Sequence, residues 1–158
     1  MDKKILVAYF SASGVTEGIA KRLSEALDAE KLKITPQAPY TSKDLDWMDK
    51  KSRSSVEMAD EKTRPGINAI PDSAYAYDTI FIGFPIWWYV EPRIVDTFLD
   101  KIGTKGKKIV PFATSGGSGI EKAQRHLESL YPEANWLEGK LLGSGTVTSW
   151  ADEMSKKM

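Results

Sequence analysis

Apolar runs and amphipathic stretches alternate along the chain. Residues 5–10 and 79–84 are near-continuous apolar runs, the pattern of strands buried on both faces of a parallel sheet, and 108–114 is a third such strand. Residues 31–35 alternate polar and apolar side chains, as a short edge strand does, and 136–142 supplies the last strand. The pattern predicts a doubly wound α/β sheet of five parallel strands in the order 2-1-3-4-5, with helices on both faces.

Helical spacing of apolar residues separates these strands. It is clearest over 19–27, where the opposite face is charged. A second helix is expected to begin near Pro92, because proline suits a first helical turn. A third is expected after Ser118-x-x-Glu121, which resembles a capping box, and a closing helix over 148–157.

Two stretches fit the pattern less well. Pro111 lacks the N–H that an interior strand supplies, so we expect a local bend there. Residues 36–77 are polar and interrupted by several prolines, and we expect one helix near 53–61 because so long a structureless loop is unusual. No repeat or linker divides the chain, and we interpret residues 1–158 as one domain.

A loop of small hydroxylated residues and glycine follows the first strand. Its N–H groups would point into one concavity at a helix N-terminus, where the helix dipole favours an anion, and its hydroxyls add further donors. No Lys or Arg stands in this loop, so a phosphate would be held by dipoles and hydroxyls alone. The alternative is an ordinary strand-to-helix turn. The candidate phosphate-binding residues are Ser11, Ala12, Ser13, Gly14, Val15 and Thr16.

Composition excludes several other sites. The loop has neither the Gly-x-x-x-x-Gly-Lys-Ser/Thr of nucleotide hydrolases nor the Gly-x-Gly-x-x-Gly of dinucleotide-binding proteins. The chain contains no Cys, which removes thiol chemistry and thiolate metal sites. The only histidine, His126, lies in a charged helical stretch, and we interpret it as a surface residue rather than a catalytic base or metal ligand.

Charge and length set the broad class. The chain has 158 residues, with 22 basic and 22 acidic side chains and a formal net charge of zero, so nothing favours nucleic acid or an anionic membrane as partner. The longest apolar stretch, 80–90, contains Pro85 and is shorter than the roughly 20 residues that span a bilayer. We therefore expect a cytoplasmic protein.

The loops after the next two buried strands add aromatic residues and glycines at the same end of the sheet. In a doubly wound sheet, ligands bind beyond the carboxyl ends of the strands. Exposed aromatic rings there would suit a flat aromatic ligand, although such clusters also belong to cores and interfaces. The candidate ring-binding residues are Pro85, Ile86, Trp87, Trp88 and Tyr89 in one loop and Thr114, Ser115, Gly116, Gly117 and Ser118 in the other.

A phosphate held without a cation, a flat ring and backbone donors along its polar edge are together the requirements of flavin mononucleotide (FMN). On these residues the chain resembles the flavodoxins and flavodoxin-like flavoproteins, over almost its whole length and in colinear order. Residues 11–16 resemble that family's phosphate loop, and 82–88 and 111–119 its two ring loops, while 44–55 is similar to an excursion after the second strand. Val15 and Tyr89 depart from the residues common in the bacterial branch. The resemblance implies the flavodoxin fold, FMN as cofactor and redox partners.

Two functions remain open from the sequence. One is an electron carrier that works at low potential between protein partners, with no catalytic side chain. The other is an enzyme that takes hydride from NAD(P)H and reduces a quinone-like acceptor, often as a homodimer. A receiver-type signalling domain on the same fold is excluded, because the first strand ends in Phe10-Ser11 without the acidic cluster that such a domain needs.

Overall fold

The computed structural model describes residues 5–115 and 117–157. Its strands form one parallel sheet in the order β2-β1-β3-β4-β5, and β6 also pairs with β4. This confirms the predicted fold class and strand order. The strands are β1 (Ile5–Tyr9), β2 (Glu30–Lys33), β3 (Thr79–Pro85), β4 (Lys108–Thr114), β5 (Asn135–Trp136) and β6 (Lys140–Leu141).

Helices cover both faces of the sheet. Helices α1 and α5 pack on one face, where the core includes Leu23, Phe81 and Trp150. Helices α3 and α4 cover the other face, where Phe10 and Phe98 belong to the same buried cluster. The helices are α1 (Val15–Leu27), α2 (Arg53–Ala59), α3 (Arg93–Ile102), α4 (Glu121–Leu130) and α5 (Val147–Lys157), and a 3₁₀ helix spans Asp72–Ala76.

The predicted strand 136–142 is wrong as a single element, because it is divided into β5 and β6. The division lies opposite Pro111, which has no N–H to offer a neighbouring strand. Gly139, in the gap, lies so close that a Cβ on it would stand 2.1 Å from the Pro111 carbonyl oxygen. β4 pairs with β3 along its whole length, and the interruption falls in its other partner, while the bend that we expected in β4 stays a prediction.

The predicted capping box before α4 is also wrong. The helix begins at Glu121 after Ile120, and no side chain of the described part of the chain caps it. Ser118 lies further upstream, where its own N–H donates to Ser115 Oγ at 2.8 Å. The serine is therefore used in a turn at the carboxyl end of β4, and not in the helix.

The polar segment 36–77 closes on itself. An antiparallel bridge between Pro36 and Ile67 closes residues 36–67 into a loop, with hydrogen bonds from Gln37 N to Gly66 O and from Asn68 N to Thr35 O. The helix expected near 53–61 is confirmed as α2. The segment is thus a long excursion after β2 that returns to the edge of the sheet.

Candidate functional site

The three predicted loops meet at the carboxyl ends of β1, β3 and β4. Thr16 Oγ1 and Thr114 Oγ1, which are 98 positions apart in sequence, form a buried hydrogen bond of 2.8 Å between the first and third loops. Ile86 N donates to Thr114 O at 3.0 Å and joins the second loop to the third. The convergence expected from strand order is therefore present in the structure.

The first loop leads into an uncapped helix. Gly14 is the N-cap of α1 in a left-handed conformation, with φ 96°, and among the described residues no side chain forms a capping hydrogen bond there. The N–H groups of that turn have no partner within the helix, so they remain available to an anion. Gly14 N itself donates to Ser11 Oγ at 3.0 Å, which orders the loop while leaving the Ser11 hydroxyl proton free to donate.

The second loop is a tight turn made of aromatic residues. Trp87 and Val90 pair through hydrogen bonds of 2.9 and 3.1 Å, and the two residues between them both have positive φ, 49° at Trp88 and 70° at Tyr89. Such a turn usually carries glycine or asparagine, because a bulky residue with positive φ is strained. The turn directs Trp88 and Tyr89 outward, where they are 44% and 58% exposed.

Trp87 lies on the inner side of this loop. Its ring stands edge-to-face with Phe10 and Tyr40, at centroid distances of 5.7 Å to each. The sequence left open whether these aromatics belong to the core or to the surface. The structure divides them: Trp87 is half-buried against the core, whereas Trp88 and Tyr89 are exposed.

The third loop is ordered by Ser115. Its Oγ accepts hydrogen bonds from Gly117 N at 3.1 Å and from Ser118 N. Those two N–H groups are therefore engaged within the loop, and a ligand edge would have to compete for them. Gly116 lies outside the described residues, so its predicted role stays a prediction.

A cavity of about 540 Å³ opens between these loops and is named here the loop cavity. Eight predicted site residues line it: Ala12, Ser13, Pro85, Ile86, Trp87, Trp88, Tyr89 and Ser118. Seven others lie in the same loops but do not line it: Ser11, Gly14, Val15, Thr16, Thr114, Ser115 and Gly117.

Three lining residues were not predicted. Leu45, Trp47 and Ser54 come from the excursion after β2 and line the loop cavity together with the strand-end loops. The sequence offered one signal for these residues, the tryptophan in the polar stretch Asp44-Leu45-Asp46-Trp47. A large apolar side chain in polar surroundings is informative, because it is either buried by the fold or exposed for binding.

A charged network holds this excursion against the aromatic loop. The Arg53 guanidinium lies 3.7 Å from the Tyr40 ring centroid, and Arg53 Nε donates to Glu57 Oε2 at 3.1 Å. The Tyr40 hydroxyl donates to the same carboxylate, and burial together with Glu57 raises the pKa of Tyr40. Because Tyr40 also contacts Trp87, the network fixes α2 beside the loop cavity.

Two buried acidic residues, Glu91 and Asp96, follow the aromatic loop, and Glu91 contacts His126. Glu91 is fully buried, and both of its carboxyl oxygens lie 2.9 Å from His126 Nδ1, while His126 Nε2 lies 2.9 Å from Glu61 Oε1. The hydrogen bond to Glu91 raises the pKa of His126 despite partial burial. Two carboxylates on its two nitrogens favour the doubly protonated imidazolium. His126 is therefore a half-buried structural link, and its interpretation as a surface residue is wrong.

Asp96, one turn into α3, is fully buried as well. No described donor reaches its carboxyl oxygens, and burial together with the neighbouring Glu91 raises the pKa of Asp96. Burial disfavours the charged form of the Asp96 carboxyl, and the neighbouring Glu91 acts in the same direction.

The fold and the site define a flavodoxin-like α/β protein, and the comparisons agree. The family model described as flavodoxin matches residues 4–156. The chain belongs to the flavodoxin family. No curated protein is significantly similar to it. Within the described residues, no helix is long and apolar enough to cross a membrane.

Several solved structures are similar. A candidate flavoprotein from Bacteroides eggerthii DSM 20697 is 48% identical, with 98% of this chain and 99% of that chain covered and a TM-score of 0.91. One from Bacteroides uniformis ATCC 8492 is also 48% identical, covering 96% and 99%, with a TM-score of 0.91. A flavoprotein from Lactobacillus acidophilus NCFM in complex with FMN is 22% identical, covering 95% and 99%, with a TM-score of 0.75, a likeness that shows the fold.

Proposed function

We propose that this protein binds FMN in the loop cavity and carries electrons at low potential between redox partners. The observation that carries the proposal is a cavity at the carboxyl ends of the central strands that exposed aromatic rings line together with Ala12 and Ser13, the residues directly before the uncapped N-terminus of α1. An anion site beside an aromatic wall matches a ligand that has one phosphate and one flat ring.

The residues present fit FMN in kind and in size. The cavity of about 540 Å³ lies within the range of about 300–1,000 Å³ that is usual for cofactor sites. The first turn of α1 would hold the phosphate, with the Ser11 and Ser13 hydroxyls as further donors. The aromatic loop and Ser118 would hold the ring. When bound, FMN supplies the one- and two-electron redox chemistry, and the protein supplies position and electrostatics.

The character of the cavity wall supports a low potential. None of the eleven lining residues that the structure describes is Asp, Glu, Lys, Arg or His. An apolar wall without a cation disfavours negative charge on a bound ring, and a phosphate held by dipoles brings no compensating cation. The protein thus keeps a reduced ring high in energy, which is what an electron donor requires.

The same wall offers little to acid–base or nucleophilic chemistry. Among the described lining residues, the only side chains with exchangeable protons are Tyr89, the serines and the tryptophans. None of these lining residues has a carboxylate or an imidazole that could act as a base. We therefore place the function in electron transfer, with no catalytic side chain.

A second candidate is an NAD(P)H-dependent reductase of small quinone-like acceptors. One observation favours it: the excursion after β2 places Trp47 beside the loop cavity, at the edge of a further concave surface. A reductase needs such a surface for a second flat molecule, whereas a carrier that docks on proteins does not.

Spectroscopy of the purified protein tests the proposal. We expect flavin absorbance and release of FMN on denaturation. We also expect photoreduction in two separate one-electron steps, of which the first is complete before the second begins. Steady reduction of a quinone with NAD(P)H by this protein alone, at about 1 per second or faster, would overturn the carrier in favour of the reductase. A purified protein that neither contains nor takes up FMN would refute both.

A pair of glycine variants tests the phosphate site. Gly14→Glu is expected to abolish FMN binding, because it adds a negative charge at the anion site and a side chain where φ is 96°. Gly18→Glu is the matched control: it adds the same charge one turn further along α1, at a position with open space. Equal losses of affinity in the two variants would contradict the assignment.

A further inference from the structure

A second cavity adjoins the loop cavity and is named here the outer cavity. It has a volume of about 700 Å³, and its apolar walls are Trp47, Met48, Met58 and Trp88. Trp47 and Trp88 line both cavities, so a molecule in the outer cavity would be a direct neighbour of a molecule in the loop cavity. The outer cavity is built almost entirely from the excursion after β2 and the tip of the aromatic loop.

These walls expose apolar surface that the fold does not require. Trp47 is 70% exposed and Met48 is 77% exposed. Large exposed apolar groups that cluster at a concave surface mark binding sites. The two indoles offer flat faces for stacking, and the methionine thioethers adapt to the outline of a ring. The walls therefore suit a flat aromatic ligand.

The polar groups of the outer cavity are donors. Lys50 lines it, and within the described part of the chain its ammonium group forms no ion pair or hydrogen bond. Ser55 also lines it, and its Oγ accepts a hydrogen bond from Ser52 Oγ at 2.9 Å, which leaves the Ser55 proton free to donate. None of the described lining residues is acidic. The ligand is therefore expected to present acceptor oxygens and negative charge.

From these observations we infer that the outer cavity binds a flat aromatic molecule with an anionic group, its rings between the two tryptophans and its anion toward Lys50. This rests on the proposed function only in that FMN occupies the adjoining loop cavity; electron transfer to such a molecule would favour the second candidate, the reductase, over the carrier. Binding in the outer cavity needs no electron transfer and can be measured by itself. The volume lies within the range of small-molecule sites, which favours a small ligand over a segment of protein.

Calorimetric titration of the FMN-loaded protein with anthraquinone sulfonate tests the inference, with an uncharged hydroxymethyl anthraquinone as the comparison ligand. Ala59→Trp, at an exposed lining position of the outer cavity only, is expected to take up part of the space and to weaken binding of both ligands. Lys50→Gln is expected to weaken the sulfonate about two- to fivefold, the usual value of an exposed ion pair, and to leave the uncharged ligand unchanged. Lys51→Gln is the matched control, since it removes the same charge from a neighbouring position outside the cavity.

The flavin content of every variant is measured from its absorbance, so loss of FMN is seen separately from loss of the second ligand. Sulfonate binding of unchanged affinity in Ala59→Trp would overturn the inference, as would equal weakening by Lys50→Gln and Lys51→Gln. Binding only to protein stripped of FMN would place the probe in the loop cavity and would also overturn it. A dimer in sedimentation velocity that Ala59→Trp dissociates would instead assign the surface to a second copy of this chain.

Discussion

Removal of the His126 imidazole tests the charge link beneath the aromatic loop. His126 joins α4 to the buried Glu91 through two contacts of 2.9 Å and to the exposed Glu61 through one. A hydrogen bond to a charged group contributes about 1.5–3 kcal/mol, and an exposed ion pair about 0.2–1 kcal/mol. We therefore expect His126→Ala to lower the free energy of unfolding by about 2–4 kcal/mol at pH 6.

The size of this loss depends on pH in a defined direction. The folded-state pKa of His126 is raised above the unfolded value of about 6.5. A raised pKa means that the folded protein holds the proton more tightly, so the contribution is complete below about pH 6.5 and is lost as the pH rises through the folded value. The difference between the parent and His126→Ala should therefore shrink between pH 6 and pH 9, by at most about 1.4 kcal/mol per pH unit.

Urea unfolding followed by circular dichroism, at matched flavin saturation and at several pH values from 6 to 9, measures the difference. Glu61→Gln should cost no more than about 1 kcal/mol, because its carboxylate is exposed. Arg125→Ala, at an exposed position on the same helix, is the control and should change stability by less than about 0.5 kcal/mol at every pH. A loss in His126→Ala that is constant across the range, or that grows with pH, would refute the charged imidazolium.

Three further substitutions test other parts of the structure. Gly83→Ala should destabilise the fold by about 1–3 kcal/mol or more, since its Cβ would stand 2.1 Å from a ring atom of the fully buried Phe112, and a normal urea midpoint would contradict this packing. Ser52→Ala removes the N-cap of α2, whose Oγ accepts from Ser55 N, and should cost about 1 kcal/mol, visible as faster proteolysis within the excursion. Trp88→Gly relieves a φ of 49° and should therefore raise the free energy of unfolding by about 1 kcal/mol, while it weakens FMN binding. If this variant loses stability as well as FMN affinity, the indole is part of the core.

Local pattern was sufficient for most of the fold. The apolar run 5–10 has no polar face, so it had to be an interior strand, and β1 indeed pairs with β2 on one side and β3 on the other. Right-handed crossovers and strand order then bring the loops after β1, β3 and β4 to one edge, which is why the three loops could be assigned together before any contact was known. The hydrogen bond between Thr16 and Thr114 is the direct consequence.

Local pattern failed where a neighbouring strand or a distant partner decided the outcome. The apolar character of 136–142 is real, but Pro111 on the adjacent strand determines where pairing is possible, and this splits the strand into β5 and β6. His126 sits in a charged sequence, yet Glu91, which is 35 positions away, draws it into a half-buried link. Neither the division of the strand nor the burial of His126 can be predicted from the residues that are adjacent in sequence.

The sequence by itself determined the strand order, the helix faces and the chemistry of the loops, because periodicity and residue type act over a few neighbouring positions. Only the tertiary structure decided which aromatic turns inward. Trp87 packs on Phe10 and Tyr40 while Trp88 is exposed, since both residues of the turn tip adopt positive φ. Only the tertiary structure brought Trp47 to the rim of both cavities, because the contacts between Arg53, Glu57 and Tyr40 that hold the excursion join residues with no shared local pattern.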